Sequence, residues 1–132
     1  MLTGFKEIQL LTGNAFLSLS KNGVAFNKNV IIKMQYPDRI KLLVNDKENK
    51  IAIQAVDNAD DNTLGFFREG MDVKKGVRYN NRELINTIAS MMSWNLNDSI
   101  FRIDGIYYDE DRAMVFDLNL ARKFSKRKRS NK

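Results

Sequence analysis

Histidine and cysteine are both absent from this 132-residue chain. Without histidine there is no Ser-His-Asp or Cys-His nucleophilic arrangement, and the commonest metal ligand and near-neutral proton shuttle are gone. Without cysteine there is no disulfide framework and no thiolate zinc site. No window supplies the roughly 20 apolar residues that a membrane-spanning helix needs. Residues 1–7 lack a basic stretch followed by a long apolar run, so no secretory signal is expected. P-loop, dinucleotide and calcium-loop patterns are missing as well. The 16 acids cluster mainly in turn-like stretches such as residues 57–61 and 109–111, where solvated turn carboxylates are the expected role. These absences point to a cytoplasmic protein that is not an enzyme, needs no cofactor and has no membrane partner.

What is present is an ordinary globular composition, 43% hydrophobic and 29% charged, in a chain of one-domain length. The charge is unevenly placed. Net charge is +6, while residues 122–132 hold seven cations and no acid, so the remainder sums to −1. Those cations are Arg122, Lys123, Lys126, Arg127, Lys128, Arg129 and Lys132. A single globular domain over residues 1–121 with a disordered or helical basic tail is the expected organisation.

Within that domain two stretches begin alike: Gly23-Val24-Ala25-Phe26-Asn27 and Gly76-Val77-Arg78-Tyr79-Asn80. Each leads into an apolar helical pattern and then two strand-like runs around a polar turn. In the first unit, residues 14–20 and 24–26 read as a hairpin whose Asn22-Gly23 suits a type I′ turn. Asn27 is placed to cap a short helix carrying Val30, Ile31 and Met34, which Tyr36-Pro37 ends. Residues 40–44 and 51–56 follow as strands around Asp46-Lys47-Glu48-Asn49. In the second unit, Asn80 and Glu83 have capping-box spacing ahead of Leu84, Ile85, Ile88, Met91 and Met92. Strands over residues 100–108 and 113–118 flank Asp109-Glu110-Asp111. Residues 57–75 form a connector that Leu64, Phe66 and Phe67 pin to the core, and residues 5–11 form an opening strand or arm. Internal repetition of this kind predicts two similar halves, about 14–57 and 76–119, around one core.

The turn, strand and helix start at Lys21-Asn22-Gly23-Val24-Ala25-Phe26-Asn27-Lys28, with the closing hairpin at residues 40–45 and 50–53, resembles the SpoVT/AbrB-type swapped-hairpin family. Residues 76–118 resemble it more loosely, and two units in one chain are similar to the tandem arrangement of MraZ-like members. The resemblance implies an α+β, mainly β fold: two hairpin/short-helix/hairpin units forming one swapped-hairpin-like barrel, with sequence-tolerant DNA binding. The chain departs from the family pattern in two places. Val24 and Val77 stand where the family has an arginine after the turn glycine, and Asn27 and Asn80 stand near its proline.

Two groups of cations are the candidate nucleic-acid-binding residues. The first is the tail, with Arg122, Lys123, Lys126, Arg127, Lys128 and Arg129, where phosphate neutralisation gives salt-sensitive affinity and Phe124 can stack on a base or pack on the body. The second is Lys74, Lys75, Arg78 and Arg82 at the start of the second unit, with Lys21 and Lys28 as counterparts in the first. Met91, Met92, Trp94, Tyr107 and Tyr108 suit an adaptable interface, although core packing is the expected role. DNA is the expected partner, with RNA second and a homodimer compatible. The expected activity is transcriptional regulation, or an accessory role for a phage or mobile element. The alternative is an inhibitor or adaptor that binds a host protein.

Overall fold

Alternation of apolar and polar residues builds most of the molecule, because a strand half-buried on one face needs period two. The structure is a computed structural model that describes residues 3–4, 13–58, 60 and 62–125. Strands β1 (Phe16–Ser20) and β2 (Gly23–Phe26) precede helix α1 (Lys28–Lys33) and strands β3 (Arg39–Asn45) and β4 (Lys50–Ala55). After β5 (Thr63–Gly65) come β6 (Val77–Tyr79), helix α2 (Arg82–Met92), β7 (Ser99–Tyr108), β8 (Ala113–Asp117) and β9 (Arg122–Ser125). One antiparallel sheet runs β5-β3-β4-β8-β7-β1-β2-β6, with β9 pairing to β7 beside this path. The fold is α+β and mainly β, as expected. No helix among the described residues is long and apolar enough to cross a membrane.

Helix starts follow asparagine side chains. Asn27 Oδ1 accepts from Val30 N at 3.3 Å and from Phe16 N at 3.0 Å, so one residue caps α1 and ties it to β1. The cap of α2 is Asn81, which accepts from Leu84 N at 3.0 Å, one residue later than the Asn80–Glu83 spacing predicts. Asn80 is used elsewhere: a Cβ on Gly23 would lie 3.0 Å from its Oδ1. Gly23 therefore serves close strand approach. Neither it nor Lys21 nor Asn22 takes positive φ, so the hairpin does not use the type I′ turn. Gly76 does take positive φ, at 66°, and a Cβ there would clash with the Phe26 carbonyl oxygen.

Two expected irregular segments turn out to be strands. The connector contains β5, whose three residues pair with β3 (Ile40 opposite Leu64) while Thr63 takes hydrogen bonds from Arg39 Nε and Nη2 at 3.0 and 2.8 Å. The basic tail was expected to be disordered or helical from Arg122 onward, yet Arg122–Ser125 form β9 against Ser99–Arg102 of β7. The half of β7 that β8 does not reach has backbone groups to satisfy, and adjacent charges do not prevent a strand from meeting that need. Arg122–Ser125 thus belong to the sheet. Residues 5–11 and 126–132 lie outside the described residues.

Inward-facing residues of the curled sheet form one apolar cluster with Val30 and Ile31 of α1 and Ile85 and Ile88 of α2. Phe26 sits among aromatic rings, with centroids 5.7 Å from both Phe66 and Phe116 and 6.2 Å from Tyr79. The expected barrel is not closed by backbone pairing, since no ladder joins β5 to β6 among the described residues. The Tyr79 hydroxyl spans that gap and donates to the Gly65 carbonyl at 2.6 Å.

Burial pushes the Tyr79 hydroxyl above the usual tyrosine range, against the opposing pull of Arg68 and Arg39. A raised folded-state value means that this contribution holds below the unfolded value of about 10 and declines as pH rises past it. Tyr79→Phe should lower stability by about 1 kcal/mol in urea unfolding at neutral pH. The variant should also lose part of the alkaline slope. Equal stability with an unchanged alkaline limb would show that this bond does not hold the sheet ends together.

Candidate nucleic-acid interface

Residues directly opposite on neighbouring strands share a face of the sheet. Register therefore decides which candidate cations stand together. Arg78 of β6 pairs with Ala25 of β2, Ala25 with Ser18 of β1, Ser18 with Arg102 of β7, and Arg102 with Arg122 of β9. These five residues form one row across five strands on the outer face, about 19 Å long at the usual strand spacing. Leu17, Leu19, Val24, Val77, Phe101 and Ile103, the flanking positions, are buried on the other side. Arginines hold the ends of the row and small side chains its middle.

Arg102 is the centre of this face. Its guanidinium carbon lies 4.9 Å from the ring centroid of Phe16 and equally far from that of Phe124. Two aromatic rings thus flank the group on a residue that is exposed. A guanidinium fixed in this way loses less rotamer freedom when it meets a phosphate. Arg122, one strand over, donates to Asp104 Oδ1 at 2.9 Å, and Asp104 also accepts from Asn14. Lys28, Lys74, Lys75, Arg78 and Arg102 make no ion pair among the described residues.

Beside the row lies a cavity of about 410 Å³. Phe16, Ser18 and Ala25 line it from the sheet, and Lys28, Lys74 and Lys75 line it from the segments after β2 and before β6. Asp72 positions the two neighbouring lysines by accepting from Lys74 N at 3.0 Å, which caps the 3₁₀ turn Val73–Lys75. Cations from both halves of the sequence therefore meet at one concavity next to the arginine row.

Not every predicted residue joins it. Lys21 and Arg82 line a separate cleft of about 480 Å³ with Trp94, Asn95 and Asn97, at the turn end of the β1–β2 hairpin. Lys123 pairs with Phe101, so it faces away from the arginine row. Lys126, Arg127, Lys128 and Arg129 lie outside the described residues. Of the suggested partner patch, Met91, Met92, Trp94 and Tyr107 pack against the core, and Trp94 stacks on Phe101 at 4.0 Å. Tyr108 is 48% exposed.

Sequence reasoning missed Arg102 and Phe16. The alternation Phe101-Arg102-Ile103 does mark Arg102 as outward-facing. Phe16 and Phe124 lie 86 and 22 residues from it along the chain, a proximity that periodicity does not encode. No protein-family model, curated protein or solved structure matches the chain.

Asp104 places an acid on this face and occupies Arg122. Asp104→Asn should release that guanidinium and make the protein elute from a heparin column at higher salt than wild type. Unchanged or earlier elution would mean that polyanions do not use this face.

Proposed function

We propose that this protein is a non-enzymatic nucleic-acid-binding protein, with DNA as its polymer and RNA as second candidate. In this reading it regulates transcription or assists a phage or mobile element in the cytoplasm. The observation that carries the reading is the row Arg78–Ala25–Ser18–Arg102–Arg122 beside the Lys28, Lys74 and Lys75 cavity. Arginines spaced along a surface suit backbone phosphates, whose neutralisation supplies sequence-independent affinity.

The reading includes two swapped-hairpin units, and several pairings support it. Exchanging β1–β4 for β5–β8 leaves the neighbour relations β2·β6 and β4·β8 intact and converts β1·β7 into β5·β3. Ala25 pairs with Arg78, 53 positions on, the separation of Gly23 from Gly76. Ala52 pairs with Val115, 63 positions on, the separation of Asp46 from Asp109. Arg39 against Thr63 matches Arg102 against Phe16 under the same exchange. In this arrangement the second unit starts at β5, earlier than the Gly76 motif suggests. Among the described residues the β1–β2 and β7–β9 ladders lack counterparts, and the Tyr79–Gly65 bond stands in place of the first.

The alternative, an inhibitor or adaptor that binds another protein, draws on exposed apolar side chains elsewhere: Leu43 at 43% and Ile106 at 61% exposure. Pull-down from nuclease-treated lysate separates the two, since a partner held through nucleic acid is lost and a direct protein partner is retained.

Gel-shift titration at several salt concentrations tests the main proposal. Replacing Arg78 and Arg102 by glutamine should each weaken DNA binding about tenfold and lower the log–log salt slope by about 1. Removing residues 126–132, which leaves β9 intact, should flatten the slope further. Wild-type affinity and slope in the double arginine variant would overturn the assignment of this face.

A further inference from the structure

The outer face on the other side of the curled sheet has a different chemistry. Leu43 of β3 pairs with Ala52 of β4, Ala52 with Val115 of β8, and Val115 with Ile106 of β7. This row is wholly apolar and faces outward, since its strand neighbours Ile51, Ile53, Met114 and Phe116 are buried on the inner side. Leu43 and Ile106 at its ends are 43% and 61% exposed, and Tyr108, one row away, is 48% exposed. Large side chains at the ends and smaller ones in the middle make the strip alike from either direction. Leu43, Ala52, Val115 and Tyr108 also line a cavity of about 400 Å³.

We infer that this face binds a second copy of the chain, by sheet-on-sheet contact about a two-fold axis that runs parallel to the strands between β4 and β8. An isologous contact needs a patch complementary to itself. Turning the face over about that axis sets Leu43 against Ile106 and Ala52 against Val115. Charge follows the same symmetry. Lys50 and Asp117 are cross-strand partners in the row at one flank, so each meets the other's counterpart in the second copy. At the other flank Lys41 and Gln54 pair on β3 and β4, and Ala113 pairs with Tyr108. The same rotation brings Lys41 over the Tyr108 ring, a cation–π geometry. Lys50 already contacts Glu48 at 3.1 Å, and Asp117 accepts from Asn119 N at 3.0 Å. An ammonium and a carboxylate each retain further bonding capacity beyond one contact. Rotation about an axis across the strands would set Lys50 near Gln54 instead and give no ion pairing.

The patch is small. Four strands about 4.8 Å apart over five residues give roughly 300 Å² per copy. That is well below the roughly 800 Å² each partner contributes to a standard interface. Association is therefore weak and appears only at high protein concentration. The arginine row shares only β7 with this strip, where Arg102 precedes Ile106 by four residues, so the contact uses none of the arginines and stands whether or not DNA binds.

Sedimentation equilibrium of the nucleic-acid-free full chain, from micromolar to roughly millimolar protein, tests the contact. Wild type should show a reversible monomer–dimer equilibrium. Ile106→Lys should weaken it by about thirtyfold, because a charge then replaces the most exposed apolar side chain of the strip. Lys50→Glu and Asp117→Lys should each weaken it, and the double exchange should restore it. Circular dichroism and thermal unfolding check that each variant folds. A monomer at every concentration would overturn the inference, as would a dimer insensitive to Ile106→Lys. Failure of the double exchange to recover association while folded would overturn the proposed axis.

Discussion

A sheet curls shut only when something fills it, and here that filling is the Phe26 ring. Phe26 is 1% exposed and touches rings from three other places in the chain: Phe66 after β5, Tyr79 on β6 and Phe116 on β8. Tilted and edge-to-face contacts of this kind add to burial. They also set the curvature, because β2, β6 and β8 must all come within a ring's width of one point. The outer face inherits its shape from this constraint. Arg78, Ala25 and Ser18 align as neighbours because the inner residues between them, Val24, Phe26 and Val77, are packed around that centre.

Local chemistry was the most legible part of the sequence. The acidic turn after Tyr108, the two apolar helix stripes and the Asn27 cap all follow from short-range pattern, and the structure has each of them. The type I′ expectation at Asn22-Gly23 failed for a non-local reason: Gly23 is needed for its closeness to Tyr79 and Asn80, which no hairpin rule contains. β5 escaped notice because three residues are too few to show alternation, and its pairing with β3 is what makes it a strand. β9 escaped because its two cations open a charge run that resembles a solvated terminus. Its stability rests on an open half of β7, a property of the assembled sheet. The candidate site was split in the same way. Its lysines and Arg78 stood out as charges in sequence, whereas Arg102, its centre, became visible only through register.

Charge on this molecule is best described by faces rather than by segments. In sequence the excess of cations lies in a tail appended to a nearly neutral body. With Arg122–Ser125 folded onto β7, part of that tail is body, and Arg122 itself joins the arginine row. A body whose net charge is close to zero can still present a strongly positive face if its acids lie elsewhere, and turns such as Asp109-Glu110-Asp111 hold many of them. Local potential, and not the total, governs the approach of a polyanion.

The resemblance to the swapped-hairpin family leads one to expect an arginine after each turn glycine, where this chain has valine. Val24 and Val77 occupy the position after each turn glycine, and both are buried, at 1% and 5% exposure. An arginine side chain there would enter the apolar cluster around Phe26 at a large desolvation cost. In this chain the position after the glycine therefore belongs to the core, and the valines fit it. Outward positions come one residue later, at Ala25 and Arg78, and at the start of each long hairpin, at Arg39 and Arg102. Of these four, Arg78 and Arg102 are exposed and lie in one row, whereas Arg39 is turned into bonds with Thr63. Absence of arginine after the glycine thus says which residue of the strand faces inward, and it does not bear on whether the outer face can hold a phosphate.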